Sequence, residues 1–166
     1  ENKEAEVFEK INKIAKSYGT IIDSRTKHFN LLNVISYAPG AQKIKVEVNR
    51  RNFGSKYEVM TLLGISMLVM IREDMFAHKL MAMHERVGKT SRDIYDVWFF
   101  LKNNWPINKE IVEQRSSVSF KELLQKSVEQ LEEMDNKHIL DGLGDFLTEP
   151  QKDWARAKLR TETIFL

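Results

Sequence analysis

The chain has no cysteine, which removes disulfide frameworks, thiolate metal sites and cysteine nucleophiles, and is compatible with a reducing cytoplasm. Glycine and proline are sparse, seven and three among 166 residues, while 30% of residues are charged and 42% hydrophobic. That balance belongs to a helix-rich globular chain and excludes a disordered one. Long apolar runs are missing too. The longest, around Met60 to Ile71, is broken by Thr61, Gly64 and Ser66 and falls short of the ~20 residues a membrane helix needs. Glu1 to Lys16 is charged and amphipathic, unlike a signal peptide, so a cytoplasmic chain with no membrane partner is expected. A net charge of +2 is too small to diagnose nucleic-acid binding, because clustering on one surface decides that. No G-x-x-x-x-G-K-S/T, G-x-G-x-x-G or G-x-S-x-G pattern occurs, so P-loop, dinucleotide and serine-hydrolase sites lack their backbone devices.

Apolar periodicity organises the rest. Val7, Phe8, Ile11, Ile14 and Ala15 recur at spacings of three and four, which predicts a helix over Ala5 to Ser17 that Gly19 ends. Thr26 to Tyr37 reads as extended, Pro39-Gly40 as a turn, and Lys43 to Asn49 as a second strand with Ile44, Val46 and Val48 on a buried face. Tyr57 to Val69 fits a short helix or a strand equally. Helices are then expected over Glu73 to Arg86, Arg92 to Asn103, Phe120 to Glu133, His138 to Leu147 and Gln151 to Ile164, with Pro106 and Pro150 in the connections. The expected organisation is α+β: an αβ part over 1–71, then a helical part over 72–166.

The helix from Arg72 to Arg86 carries the strongest chemical signal. At about 100° per residue, Met75, Phe76, Leu80, Ala82 and Met83 share a face and Lys79 projects from it, with Arg72 and Arg86 seven residues to either side. A cation in an apolar stripe needs an anion or a route to solvent. Its partner is either a carboxylate of another helix or a phosphate, on which lysine acts as a movable point charge. Asp93 and Asp96, three apart at the start of the next helix, are the carboxylates at hand. Thr90-x-x-Asp93 also fits a capping arrangement, and Asp96 fits an ion pair with Lys79 or Arg92. Glu47 sits between hydrophobic residues on a strand, a pattern that any half-buried strand produces. The histidines show no metal-ligand spacing.

Ala77-His78-Lys79-Leu80-Met81-Ala82-Met83 through Arg86, followed by Arg92-Asp93-Ile94-Tyr95-Asp96-Val97, resembles the paired motif of the AbiEii/AbiGii toxin family. In that family a helix A-x-K-L-x-A and an Arg lead into R-D-x-x-D. The family is similar to DNA polymerase β-type nucleotidyltransferases, so the resemblance implies a partial nucleotidyltransferase-type mixed sheet with flanking helices, followed by a C-terminal helical bundle. It implies a metal-dependent transfer of a nucleotidyl group from a nucleoside triphosphate, with Mg2+, to an acceptor that is RNA such as tRNA, and a cognate antitoxin as partner. Lys79 would contact the phosphates with Arg86 and Arg92, Asp93 and Asp96 would be the supporting acids, and Glu47 would be the third, metal-binding carboxylate. The family's Gly-Ser turn and Asp-x-Asp strand do not precede the helix at Ala5, so a truncated or degenerate member is expected. The alternative is a catalytically inactive module that binds nucleotide or RNA. A third reading makes Lys79, Asp93 and Asp96 a structural ion-pair network.

Overall fold

In the first helix, α1 (Lys3–Tyr18), apolar residues face one side and Ala15 is buried. Gly19 follows because the chain must turn back against its neighbour: a Cβ there would overlap the Ser36 carbonyl oxygen and come within 2.9 Å of Tyr37 Cα. Three antiparallel strands come next, β1 (Thr20–Thr26), β2 (Asn30–Ser36) and β3 (Ile44–Asn49), in the order β1-β2-β3. Alternation puts Leu31, Asn33 and Ile35 of the central strand on one face, and all three are buried. Helix α1 packs on β1 and β2, and the Ser24 hydroxyl donates to Asn12 Oδ1 at 2.7 Å. The Arg50 guanidinium clasps the β1–β2 turn, donating to the His28 carbonyl at 2.5 Å and pairing with Glu4.

The computed structural model describes residues 3–166, and the chain divides into two units, 1–52 and 53–166. The second unit opens with a hairpin, β4 (Tyr57–Leu62) and β5 (Ile65–Met70), joined by Leu63 and Gly64 at φ 52° and 79°. Two consecutive positive φ values make the primed turn that matches strand twist. Seven helices in all are present among the described residues: after α1 come α2 (Arg72–Arg86), α3 (Arg92–Lys102), α4 (Lys109–Ser116), α5 (Phe120–Glu133), α6 (Glu149–Trp154) and α7 (Arg160–Phe165), the last two joined by a π-helical turn at Ala155–Leu159. Helix α2 is the centre of this unit, packing on α3, α4 and α5. Phe76, Leu80 and Met83 of α2 meet Ile94, Val97 and Phe100 of α3 and Leu123 and Leu131 of α5 in one core. Each such side chain removed from water stabilises the fold by about 1.5–3 kcal/mol.

The α+β fold class is as expected, and so are α1, α2, α3 and α5 to within a residue or two. Four details differ. Thr20 to Thr26, unassigned from sequence, is the edge strand β1, and Ile44 of β3 is exposed rather than buried because β3 is the other edge. His138 to Leu147 is not a helix but two 3-10 turns, Asn136–His138 and Gly144–Phe146; Gly142, at φ 70°, breaks any helix between them. Helix α4 was not foreseen, although Asn108 caps it by accepting from Ile111 N–H.

Candidate active site

Helix α2 ends at Arg86, and after five connecting residues α3 begins at Arg92, so the two run side by side with their facing rows fixed by the shared core. The start of α3 is braced from outside. Ser91 N–H donates to the Asp141 carbonyl at 2.9 Å and its hydroxyl to the His138 carbonyl at 3.2 Å. Gly142 allows the approach, since a Cβ there would stand 2.6 Å from Thr90 Oγ1. Asp93 is thereby held in the first turn of α3, facing α2.

Four charged side chains meet there. Lys79 Nζ lies 2.5 Å from Asp96 Oδ2 and 3.5 Å from Asp93 Oδ1, and Arg86 Nη2 lies 3.0 Å from Asp93 Oδ2. Lys79 and Arg86 are two turns apart, so one row of α2 presents both cations to the same carboxylate. Exposure divides the roles: the Asp93 side chain is 5% exposed, Asp96 29%, Lys79 33% and Arg86 49%. The buried member is an anion, and the members nearest water are cations. Asp93 does not serve as a cap, for the side chain that could close a capping arrangement faces Lys79 and Arg86 instead.

The other expected residues fall as follows. Arg92 stands outside the cluster, its guanidinium 5.2 Å from the centre of the Phe146 ring. Glu47 lies on β3 of the first unit, where Lys45 Nζ approaches its Oε2 at 2.9 Å. Two carboxylates facing two cations leave no net negative charge for a divalent ion, and no group of three His, Asp or Glu able to hold a metal occurs among the described residues. The Mg2+ implied by the resemblance finds no fitting donor set in this cluster.

Two other polar centres flank α2. Asp74, fully buried, accepts from Lys56 N–H at 2.6 Å and from Asn108 Nδ2 at 2.7 Å, tying the base of the hairpin and the start of α4 to α2. Its one mark in the sequence is its place in the buried row, with Ala77 and Met81 at spacings of three and four. His78 Nδ1 meets Arg115 Nη1 at 2.9 Å and its Nε2 meets Ser55 Oγ at 2.7 Å. Arginine offers no acceptor, so Nδ1 must accept and Nε2–H must donate to Ser55. An imidazole so arranged cannot take the serine proton, which excludes a serine nucleophile at this pair.

A family model described as nucleotidyl transferase AbiEii toxin, of type IV toxin-antitoxin systems, matches residues 3–163. The chain belongs to this family. As an AbiEii-family nucleotidyltransferase it carries the Lys79, Arg86, Asp93 and Asp96 cluster at the heart of the matched region. No curated protein and no solved structure matches it. No helix among the described residues is long and apolar enough to cross a membrane.

Proposed function

We infer that this AbiEii-family chain acts in nucleotidyl transfer from a nucleoside triphosphate to an RNA acceptor such as tRNA, with Lys79 as the group that meets the phosphates. In that reaction an acceptor oxygen bonds to the α-phosphorus, the bond from phosphorus to the bridging oxygen breaks, pyrophosphate leaves, and the acceptor proton is released. The chemistry needs positive charge at a place where negative charge moves from the α-phosphate to the leaving group. The observation that supports the reading is the order of burial. Asp93 is enclosed, and it holds two cations whose heads remain partly in water.

Asp93 is in this reading a positioning residue: its two oxygens fix Lys79 and Arg86 relative to each other. Asp96 is the exchangeable partner, at 2.5 Å from Lys79 and partly solvent-accessible. Arg86 and Arg92 add positive charge toward the triphosphate and the acceptor, and Glu47 of β3 is proposed separately as an acid that transfer requires. The cognate antitoxin partner follows from the family's place in toxin-antitoxin systems.

The test is transfer of labelled nucleotide to total tRNA by the protein as encoded, beside nucleotide binding by calorimetry. Lys79→Ala is expected to lose about a hundredfold in rate, the ~3 kcal/mol of one contact to developing charge. Glu47→Gln is expected to lose transfer and keep nucleotide binding. Full transfer by Lys79→Ala would overturn the assignment, and acceptance of nucleotide by protein or lipid but not RNA would overturn the acceptor class.

A further inference from the structure

Ser91 stands at the N-cap position of α3, where a serine hydroxyl ordinarily accepts a backbone N–H of the first turn. Here no such cap bond forms, and Ser91 takes a helical backbone conformation, φ −98° and ψ −1°. The hydroxyl donates instead to the His138 carbonyl at 3.2 Å, 47 residues along the chain. The Ser91 N–H makes a second bond to the same turn, at the Asp141 carbonyl, and the residue is 1% exposed. The turn that receives both bonds is closed on itself. Asp141 N–H donates to the His138 carbonyl at 2.9 Å, and the side chains of the two residues meet, His138 Nδ1 lying 3.0 Å from Asp141 Oδ2. A side chain suited to stabilising its own helix is thus committed to a distant segment.

We propose that Ser91 is a positioning residue for nucleotidyl transfer, fixing the place of Asp93 and, through it, of the Lys79 ammonium group. The inference rests on Lys79 being the group that meets the phosphates. A lysine stem is flexible, so Nζ stands where its anions stand, 3.5 Å from Asp93 Oδ1 and in contact with Asp96. Aspartate is short, and both Asp93 oxygens are engaged, one by Lys79 and the other by Arg86. It has little freedom to follow a moved backbone, so the position of the α3 start along α2 sets the site. Apolar packing holds the two helices together without direction. The bonds from Ser91, two residues before Asp93, add direction from outside the pair. A shift of about 1 Å would carry the Lys79–Asp93 contact out of ion-pair range, and such misplacements cost up to about a hundredfold in rate.

Ser91→Ala in the protein as encoded removes the hydroxyl alone. The His138 carbonyl keeps Asp141 N–H as its donor, so the fold should survive with a melt lowered by a few degrees. Ser127 is the matched control: it is 2% exposed, and its hydroxyl donates to the Leu123 carbonyl within α5 at 2.8 Å. Ser127→Ala is expected to lower the melt as far and to leave transfer unchanged. Ser91→Ala is expected to lose about tenfold in kcat with the KM for nucleotide little changed, and Ser91→Thr, which restores a hydroxyl, to recover most of that loss. Lys79→Ala, assayed in parallel, separates the two assignments. A slow Lys79→Ala beside a Ser91→Ala that keeps the wild-type kcat would overturn the role of Ser91 and leave the lysine assignment standing. A loss in KM rather than kcat, or no recovery by Ser91→Thr in a protein that melts as the wild type does, would overturn it as well. Transfer by Lys79→Ala at the wild-type rate would remove the site assignment and the role of Ser91 with it.

Discussion

Lys79→Ala and Asp93→Ala should separate function from stability, because the two ends of one ion pair differ in burial. Lys79 is a third exposed and bonds two carboxylates. When it is removed, Asp96 hydrates and Asp93 keeps Arg86 at 3.0 Å, so the stability change should stay within about 1 kcal/mol. Asp93 is enclosed, and removing it opens a small cavity and strips the counter-charge from two cations. Loss of two charge-assisted contacts at a buried site costs about 2–3 kcal/mol. A chain of this size melts about 2–4 °C lower per kcal/mol, which gives a fall of roughly 4–12 °C for Asp93→Ala and about 4 °C or less for Lys79→Ala. Thermal melts by circular dichroism, run beside the transfer assay, measure both quantities. The reasoning fails if Lys79→Ala melts as low as Asp93→Ala, for then the lysine is a structural member of the network. It fails equally if Lys79→Ala transfers nucleotide at the wild-type rate.

Three further outcomes follow from other parts of the molecule. Asp74→Ala should be among the most destabilising single changes, costing about 3–4 kcal/mol by chemical denaturation, since it leaves Lys56 N–H and the Asn108 amide without their acceptor. Asn33, buried with neither amide atom hydrogen-bonded among the described residues, should be replaceable: Asn33→Leu is expected to raise the melting temperature by a few degrees, and a fall would show that the amide has a partner. His84 has its pKa lowered from 6.5, chiefly by burial, with Lys126 adding to the shift and Glu85 opposing it. Its folded form binds protons less readily than its unfolded form, so stability is complete above pH 6.5 and declines as pH falls from there toward the lowered value. Denaturation midpoints between pH 7.5 and 5 should show this slope in the wild type and a shallower one in His84→Gln.

What the sequence disclosed and what it withheld follow from the range of the interactions. Periodicity located α2 and α3 because both bury a continuous stripe, and the cation in that stripe pointed to a carboxylate one helix later. That pairing is local, spanning 14 and 17 residues from Lys79 to Asp93 and Asp96, so spacing alone could suggest it. Asp74 was harder to see because its partners, Lys56 and Asn108, lie 18 residues before and 34 after it. The hairpin stayed ambiguous because both its faces are apolar, which erases the alternation that marks a half-buried strand. His138 to Leu147 misled for the opposite reason: its apolar residues have helical spacing, but Gly142 and the bonds to Ser91 and Thr90 bend the segment into a brace.

The remaining question at the site is how a neutral cluster takes up a triphosphate, and Asp96 answers it. Lys79 holds two carboxylates, and they differ: Asp93 is enclosed and shared with Arg86, whereas Asp96 is partly exposed and has Lys79 as its ion-pair partner. On the proposed reading, an incoming phosphate would compete with Asp96 for the ammonium group and leave the Asp93 contacts in place. If so, removing the charge of Asp96 should relieve the competition. Asp96→Asn is expected to tighten binding of a nucleoside triphosphate about fivefold, the equivalent of ~1 kcal/mol for one partly screened charge contact, while Asp93→Asn should weaken it by loosening both cations. Titration calorimetry with a non-hydrolysable triphosphate decides between these roles. Weaker binding by Asp96→Asn would mean that the carboxylate itself engages the nucleotide, and Asp96 would then belong with the groups that touch substrate rather than with the partners that give way to it.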